Sequence, residues 1–287
     1  MSVELLHSQG YYEVETGITH SELAVVMAGF KSFRSLSDEM KQSTNYFLSD
    51  RGDGDFGYFN RIPGAETFRG KASDNKDIFH FGASTRQTVE ATLPHGAPKV
   101  MADFLDDAES LFWQAQATKK RALGKLNLVG LVDVATGSFS DYSSVFLGTR
   151  SACNDVLRLI NYYDSDSLLA KAHFDRSATT LALGESHPGL RLTASSTKTP
   201  VEERNQTLQP VAYTPGQAKF FLGAGWNNIQ HLDAKAKTLP LGWHDVVQTE
   251  TVVDDYVRRW SAILFSTPHL EWSGYSVPGR NVTRPTV

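Results

Sequence analysis

The sequence predicts an α+β chain in which helices come first and an antiparallel barrel or sandwich follows. Three observations carry this. Apolar residues recur at helical spacing in the first half, from Leu23 to Phe33 and from Met101 to Ala115. After about Phe146 the period changes to two, in short runs separated by turn residues. No linker divides the chain, so its 287 residues are read as a single domain over 1–287, mainly helical over 1–145 and strand-rich over 146–270.

Taken in order, Gly10-Tyr11-Tyr12-Glu13-Val14 reads as a short strand. Thr19-His20-Ser21-Glu22 has capping-box spacing and opens a helix whose apolar face is Leu23, Val26, Met27, Phe30 and Phe33. This helix is expected to end between Ser35 and Gln42. Asn45 to Gly70 is rich in Gly, Asp and aromatics and reads as a loop, with a short strand at Gly57-Tyr58-Phe59. A second short strand follows at Lys76–Phe81. Pro98 suits the first turn of a long helix whose stripe runs Met101, Phe104, Leu105, Ala108, Leu111, Phe112 and Ala115. Leu126–Val134 reads as another helix. The strands expected after it are Leu157–Tyr163, Thr179–Leu183, Leu190–Ala194, Gln209–Tyr213, Ala218–Leu222 and Trp260–Phe265, with a turn at His187-Pro188-Gly189.

The chain carries 40% hydrophobic and 21% charged residues and a formal net charge of −4. There is no basic field for nucleic acid or an anionic membrane. No apolar run approaches a membrane span, and MSVELLHSQGYY lacks the features of a signal peptide. The single cysteine, Cys153, excludes an internal disulfide framework and reads as a small buried filler. A cytoplasmic protein is therefore expected, with no nucleic-acid and no membrane partner.

The chemistry-bearing stretch runs from Leu157 to Ala194, and its centre is His173-Phe174-Asp175. On a strand, His173 and Asp175 would point the same way, about 7 Å apart along the chain. An imidazole and a carboxylate so placed can share one metal ion. Chance alone produces such a tripeptide readily in a chain with nine histidines, and a second stands at His231-Leu232-Asp233. The test is a third ligand on a neighbouring strand. Two histidines and a carboxylate with open positions suit non-haem Fe(II) and O₂ chemistry. The downstream candidates are His187, His231, His244 and His269. Beyond them, Arg259 and Ser261 would share a strand face, and a charged fork beside a hydroxyl is a good clamp for a carboxylate.

In order, Ile160-Asn161-Tyr162-Tyr163, His173-Phe174-Asp175, Pro188-Gly189-Leu190-Arg191-Leu192, Pro215-Gly216-Gln217-Ala218, His244-Asp245-Val246 and Arg259-Trp260-Ser261 form a set. This set resembles the 2-oxoglutarate- and Fe(II)-dependent dioxygenases, in the subgroup similar to isopenicillin N synthase and the plant flavonoid oxygenases. The resemblance covers most of the chain, including Gly10–Val14, the Phe33–Lys41 segment and Gly57-Tyr58. It implies a double-stranded β-helix, a jelly-roll core with the N-terminal helices packed on it. It implies that His173, Asp175 and His244 hold Fe(II). Arg259 and Ser261 would bind the distal carboxylate of 2-oxoglutarate, and Asn161 and Tyr163 would contact the same cosubstrate. The implied activity is that of an oxidoreductase of secondary metabolism. It would use O₂ and couple decarboxylation of 2-oxoglutarate to succinate with hydroxylation, desaturation or ring formation. Two departures stand out: Asp245 follows His244 where an Arg is usual, and the gap from His244 to Arg259 is long and acidic. Ser195–Thr207 is expected to form a lid. Arg176, Phe79, Phe81, Arg86, Arg191 and Trp226 are expected at the mouth of the barrel, where arginines would suit a carboxylate-bearing substrate.

Overall fold

A computed structural model describes residues 2–47, 55–61, 76–93, 95–126, 146, 155–163, 168–230, 236–248 and 259–268. It is a mixed helix and antiparallel-sheet structure. Helix α1 (Ser2–Gln9) leads into strand β1 (Tyr11–Glu15). Between them Gly10 is not a strand residue but a left-handed turn with φ 87°. A Cβ there would lie 2.6 Å from Leu192 Cδ2 and 2.7 Å from the Ala194 nitrogen, so only glycine fits. Helix α2 (His20–Phe33) begins at Thr19, whose side chain accepts from the Glu22 amide while Glu22 reaches back to the Thr19 amide. That is the capping box expected from the sequence. The chain then turns into a separate short helix, α3 (Asp38–Gln42), capped by Ser37.

Strands β2 (Tyr46–Phe47), β3 (Asp55–Arg61) and β4 (Lys76–Phe81) precede helices α4 (Thr85–Thr92) and α5 (Lys99–Leu126). Helix α5 takes in Leu126; the rest of the helix expected over Leu126–Val134 lies outside the described residues, as does Cys153. The later strands are β5 (Val156–Tyr162), β6 (Leu168–His173), β7 (Thr179–Glu185), β8 (Leu190–Ser195), β9 (Gln209–Pro210), β10 (Gln217–Leu222), β11 (Leu241–Val247) and β12 (Arg259–Ser266). A short helix, α6 (Val201–Gln206), lies between β8 and β9. The strand expected over Gln209–Tyr213 stops at Pro210, which has no N–H to continue a ladder.

The strands form two antiparallel sheets. The larger has the order β1-β10-β7-β12-β5-β4-β3-β2 and the smaller β6-β11-β8-β9. Strands of the N-terminal part thus join the same sheet as β5, β7, β10 and β12. The two faces of the large sheet are apolar for different reasons. Leu157 and Leu159 of β5 and Ala262 and Leu264 of β12 pack with α2 and α5 through Phe30, Phe33 and Phe104. The alternate residues Ile160 and Tyr162 pack with Leu169, Ala170 and Val246 of the small sheet. Leu192, Val211 and Phe221 close a second contact between the sheets. Period-two alternation therefore sorts β5 and β12 into a helix-facing side and an inner side.

The helix-facing core centres on aromatic rings. Phe79 meets Phe33 edge-on at 5.4 Å and Phe104 at 4.8 Å, and all three are fully buried. Such pairs contribute about 0.5–1.5 kcal/mol beyond their buried area. Phe104→Ala is expected to lower stability by about 3–5 kcal/mol in urea denaturation, whereas Val25→Ala, at a position 57% exposed, should change it by less than about 0.5 kcal/mol. Among the described residues, no helix is long and apolar enough to cross a membrane.

Candidate active site

His173 is the last residue of β6 and lies directly opposite His244 of β11. Asp175 is beyond the strand, so a bend rather than the pleat brings it round. That bend is held from behind: the Ala224 amide donates to the Asp175 carbonyl at 2.7 Å. A Cβ at Gly223 would lie 2.3 Å from the Ser177 carbonyl oxygen and 2.7 Å from that of Asp175, so the close approach needs glycine. His173, Asp175 and His244 converge, with one ligand atom from each lying within 4.8 Å of the others.

The hydrogen bonds aim these atoms. His173 Nδ1 donates to the Lys171 carbonyl at 2.6 Å, and His244 Nδ1 donates to the Gly242 carbonyl at 3.1 Å. A carbonyl only accepts, which assigns the proton to Nδ1 in both rings. Both Nε2 atoms are left with lone pairs, 3.6 and 3.7 Å from Asp175 Oδ1. The other carboxylate oxygen accepts from Thr180 Oγ1 at 2.7 Å. With both rings neutral, two lone pairs face a carboxylate oxygen, an arrangement that a shared cation relieves, whether a metal ion or a proton taken up by His173. Each histidine–aspartate separation is within the roughly 4.2 Å over which two donors can share an ion at about 2.1 Å from each. The group fits a metal ion.

The protonation equilibria agree. Asp175 is fully enclosed, and burial would raise its pKa. The positive charge available to His244 and the hydrogen bonds from His173 and Thr180 outweigh this and hold the carboxyl below its usual range. Burial disfavours the charged form of His244 and, although Asp175 opposes it, lowers the pKa of the ring. His173 is 47% exposed at its side chain. Burial works against its charged form, but the hydrogen bond and charge of Asp175 raise its pKa overall. Thr180→Val leaves Asp175 Oδ2 without its donor. It is expected to weaken metal binding about 10–100-fold in competition with a chelating dye, with the fold intact.

A second group lies along the inner face. Arg259 and Ser261 alternate with the helix-facing Trp260 and Ala262 and so share the side of Ile160 and Tyr162. Arg259 is 2% and Ser261 5% exposed. Arg259 Nε donates to the His187 carbonyl at 3.1 Å, and Nη2 is paired with Glu185. Arg259 Nη1 and Ser261 Oγ are buried with no partner among the described residues. Both line a cleft with Glu185, Lys219, Tyr213 and Val246. Val246 is one inward step from His244 on β11, about 7 Å along the strand. Val246 thus belongs both to the strand that carries His244 and to the lining of this cleft.

Asn161 and Tyr163 are not brought to this group. Asn161 is in register with Trp260 and Asp77, on the helix-facing side, and Tyr163 Oη donates to Asp77 Oδ2 at 2.6 Å. The residue of β5 beside Arg259 is Tyr162, whose ring centroid is 5.5 Å from the guanidinium. Only the register of β5 against β12 distinguishes the two tyrosines. Of the other histidines weighed as third ligand, His187 sits in the turn before β8 and contributes its carbonyl to Arg259, while His231 and His269 lie outside the described residues.

The expected mouth residues divide. Phe79, Phe81 and Trp226 are core, at 0–1% exposure, and are not available to a substrate. Arg86 pairs with Glu90 and Asp106, and Arg191 is clamped by Asp245. The latter pairing accounts for the acidic residue after His244. Ser195–Thr207 contains α6, which is pinned rather than hanging free. Arg204 lies 4.1 Å over the Trp243 ring and 4.9 Å over Phe174, and Asn205 accepts from Trp243 Nε1.

No family model and no curated protein matches the sequence. Solved structures do match in fold. Neurospora crassa T7H in complex with α-ketoglutarate and thymine superposes with TM-score 0.61 at 17% identity, covering 98% of this chain and 84% of that one. The dioxygenase for auxin oxidation of rice gives 0.56 at 16% identity, over 92% and 75%. Dioxygenase for auxin oxidation 1 of Arabidopsis thaliana, in a binary complex with 2-oxoglutarate, gives 0.54 at 14% identity, over 94% and 87%. At these identities the likeness is one of fold: the chain is built as these cosubstrate-binding proteins and auxin dioxygenases are built.

Proposed function

We propose that this chain is a non-haem Fe(II)- and 2-oxoglutarate-dependent oxygenase acting on a small molecule. The observation that carries the reading is the convergence of His173 Nε2, Asp175 Oδ1 and His244 Nε2, with Val246 of the His244 strand lining a cleft together with Arg259 and Ser261. The two facing sheets are read as a jelly roll, with β10-β7-β12-β5 opposite β6-β11-β8-β9. The matched structures that bind α-ketoglutarate or 2-oxoglutarate support the reading at the level of fold. The sequence motifs favour the branch similar to isopenicillin N synthase and the flavonoid oxygenases.

His173, Asp175 and His244 would hold Fe(II), and the Arg259 guanidinium with the Ser261 hydroxyl would anchor the distal carboxylate of 2-oxoglutarate. Iron and cosubstrate together supply the activation of O₂ that such oxidations need. The chain's contribution is placement. The Lys171 and Gly242 carbonyls fix both imidazole tautomers. Thr180 and the Gly223 turn fix Asp175. The aliphatic wall of Leu190, Val246 and Ile263 keeps water from the cosubstrate stem. For the primary substrate, a carboxylate-bearing small molecule is favoured: Lys76 faces inward over the Tyr162 ring at 5.6 Å, and its charge is felt at His173. The anionic chain disfavours nucleic acid and membrane surfaces.

The test is succinate release on anaerobic loading with Fe(II) followed by O₂, 2-oxoglutarate and a panel of small carboxylic acids. Succinate formation requiring both iron and 2-oxoglutarate is expected; its absence across the panel contradicts the proposal. One observation favours a second reading, an iron oxidase of the same fold that does without 2-oxoglutarate: Glu185 already occupies Arg259. Substrate-dependent O₂ uptake that is indifferent to 2-oxoglutarate would select it.

A further inference from the structure

The geometry points to Glu185 as a proton-coupled gate on the cosubstrate subsite: a dicarboxylate reaches Arg259 only when this carboxylate takes up a proton and gives up its hold on Nη2. This inference rests on the Fe(II)/2-oxoglutarate reading above.

Its starting point is a break in the strand register. β7 pairs with β12 as Ser261↔Glu185, Ala262↔Gly184 and then Ile263↔Ala182, so Leu183 is one extra residue on β7. Leu181 and Leu183 face the helix-side core. Regular alternation would send Glu185 to that side as well. The bulge instead turns it inward, opposite Ser261 and onto Arg259. Bulges of this kind re-aim a single side chain at a site. The carboxylate is 10% exposed and the guanidinium 2%.

Among the described residues the charges around Glu185 are few. Arg259 of β12 pairs with it directly. Lys219 of β10 is near enough to favour its charged form but is itself paired with Glu13 of β1. The Gly189 amide also donates to it, and Tyr213 lines the same cleft. Burial outweighs these groups, so the Glu185 carboxyl holds its proton to higher pH than an ordinary glutamate. A second carboxylate arriving at Arg259 would meet a like charge in a low-dielectric cleft. Two carboxylates so placed cannot both stay ionised, and one keeps a proton. The ligand brings its anion to Arg259 Nη1 and Ser261 Oγ, which have no partner among the described residues. Protonated Glu185 releases Nη2 and becomes a donor in its turn. The proton comes from solvent; no bond to carbon changes.

The sign follows. Binding of the dicarboxylate raises the pKa of Glu185 further, so affinity increases as pH falls, by up to about tenfold per pH unit where one full proton is taken up. A ligand of the same length without the distal carboxylate takes up none.

The experiment is anaerobic titration calorimetry on the full chain saturated with Mn²⁺, in two buffers of different ionisation heat. The ligands are 2-oxoglutarate and 2-oxopentanoate, and the proteins are the unsubstituted chain and E185Q. We expect uptake approaching one proton per 2-oxoglutarate in the unsubstituted chain and none with 2-oxopentanoate. E185Q should bind 2-oxoglutarate at least tenfold more tightly at pH 8, with no proton uptake. The proton count needs only the unsubstituted chain, so it stands even if E185Q does not fold. Binding by E185Q alone also supports the gate. Tight binding with no proton uptake overturns the gate and leaves the cosubstrate reading in place. Failure of both proteins to bind 2-oxoglutarate overturns the cosubstrate reading and the gate with it.

Discussion

Asp175→Ala is expected to abolish 2-oxoglutarate-dependent turnover and to lower divalent-metal affinity by more than about a hundredfold, beyond what changes behind the ligands produce. Asp175 is the anion of the group. Removing it leaves two imidazoles facing each other across a gap with ring centroids 4.4 Å apart. The measurement is thermal unfolding with and without Mn²⁺. A ligand present at a hundred times its dissociation constant stabilises the folded chain by about 2.7 kcal/mol, and the variant should lose this increment entirely. Asp175 also contributes stability without metal. Its folded-state pKa is depressed, so that contribution is present at neutral pH and is lost only as pH falls below the usual carboxylate range. The metal-dependent increment, not the baseline, is therefore the diagnostic quantity. An unchanged increment in Asp175→Ala would remove this residue from the metal site.

Arg259→Met should have the second large effect, and in two separable parts. It removes the only cation in contact with Glu185 among the described residues, leaving a buried carboxylate unpaired. Breaking a buried pair from one side costs about 3–5 kcal/mol, whereas replacing both partners is close to neutral. Urea denaturation should accordingly show a severe loss for Arg259→Met and recovery of most of it in the double variant Arg259→Met/Glu185→Gln. Cosubstrate binding should not recover, because the fork that matches the carboxylate is gone in both. Recovery of 2-oxoglutarate binding in the double variant would show that Arg259 is not its anchor.

These residues differ in how far they could be read in advance. The capping box at Thr19 and the stripe on α5 are local signals: each depends on residues within one or two turns, and both elements form where expected. His173, Asp175 and His244 were legible as residue types in strand-like surroundings, yet Asp175 arrives by a bend fixed by Gly223 and Ala224, far away in the chain. Helices α1 and α4 are short, and nothing within eight residues marks either strongly. The residues placed otherwise than expected share one cause. Which face of a strand a side chain occupies depends on pairing, and pairing is long-range. The register of β5 puts Tyr162 rather than Asn161 or Tyr163 beside Arg259. Phe79 and Phe81 face α2 and α5 rather than the inner side, for the same reason. The bulge at Leu183 reverses Glu185, which no alternation rule within β7 would show.

The most direct test of the account is anomalous diffraction at the iron edge from crystals grown without oxygen in Fe(II) and 2-oxoglutarate. One iron peak is expected, bounded by His173 Nε2, Asp175 Oδ1 and His244 Nε2, with the cosubstrate's distal carboxylate on Arg259 and Ser261. Iron bound elsewhere, or no iron at these three side chains in crystals that diffract well, would contradict it.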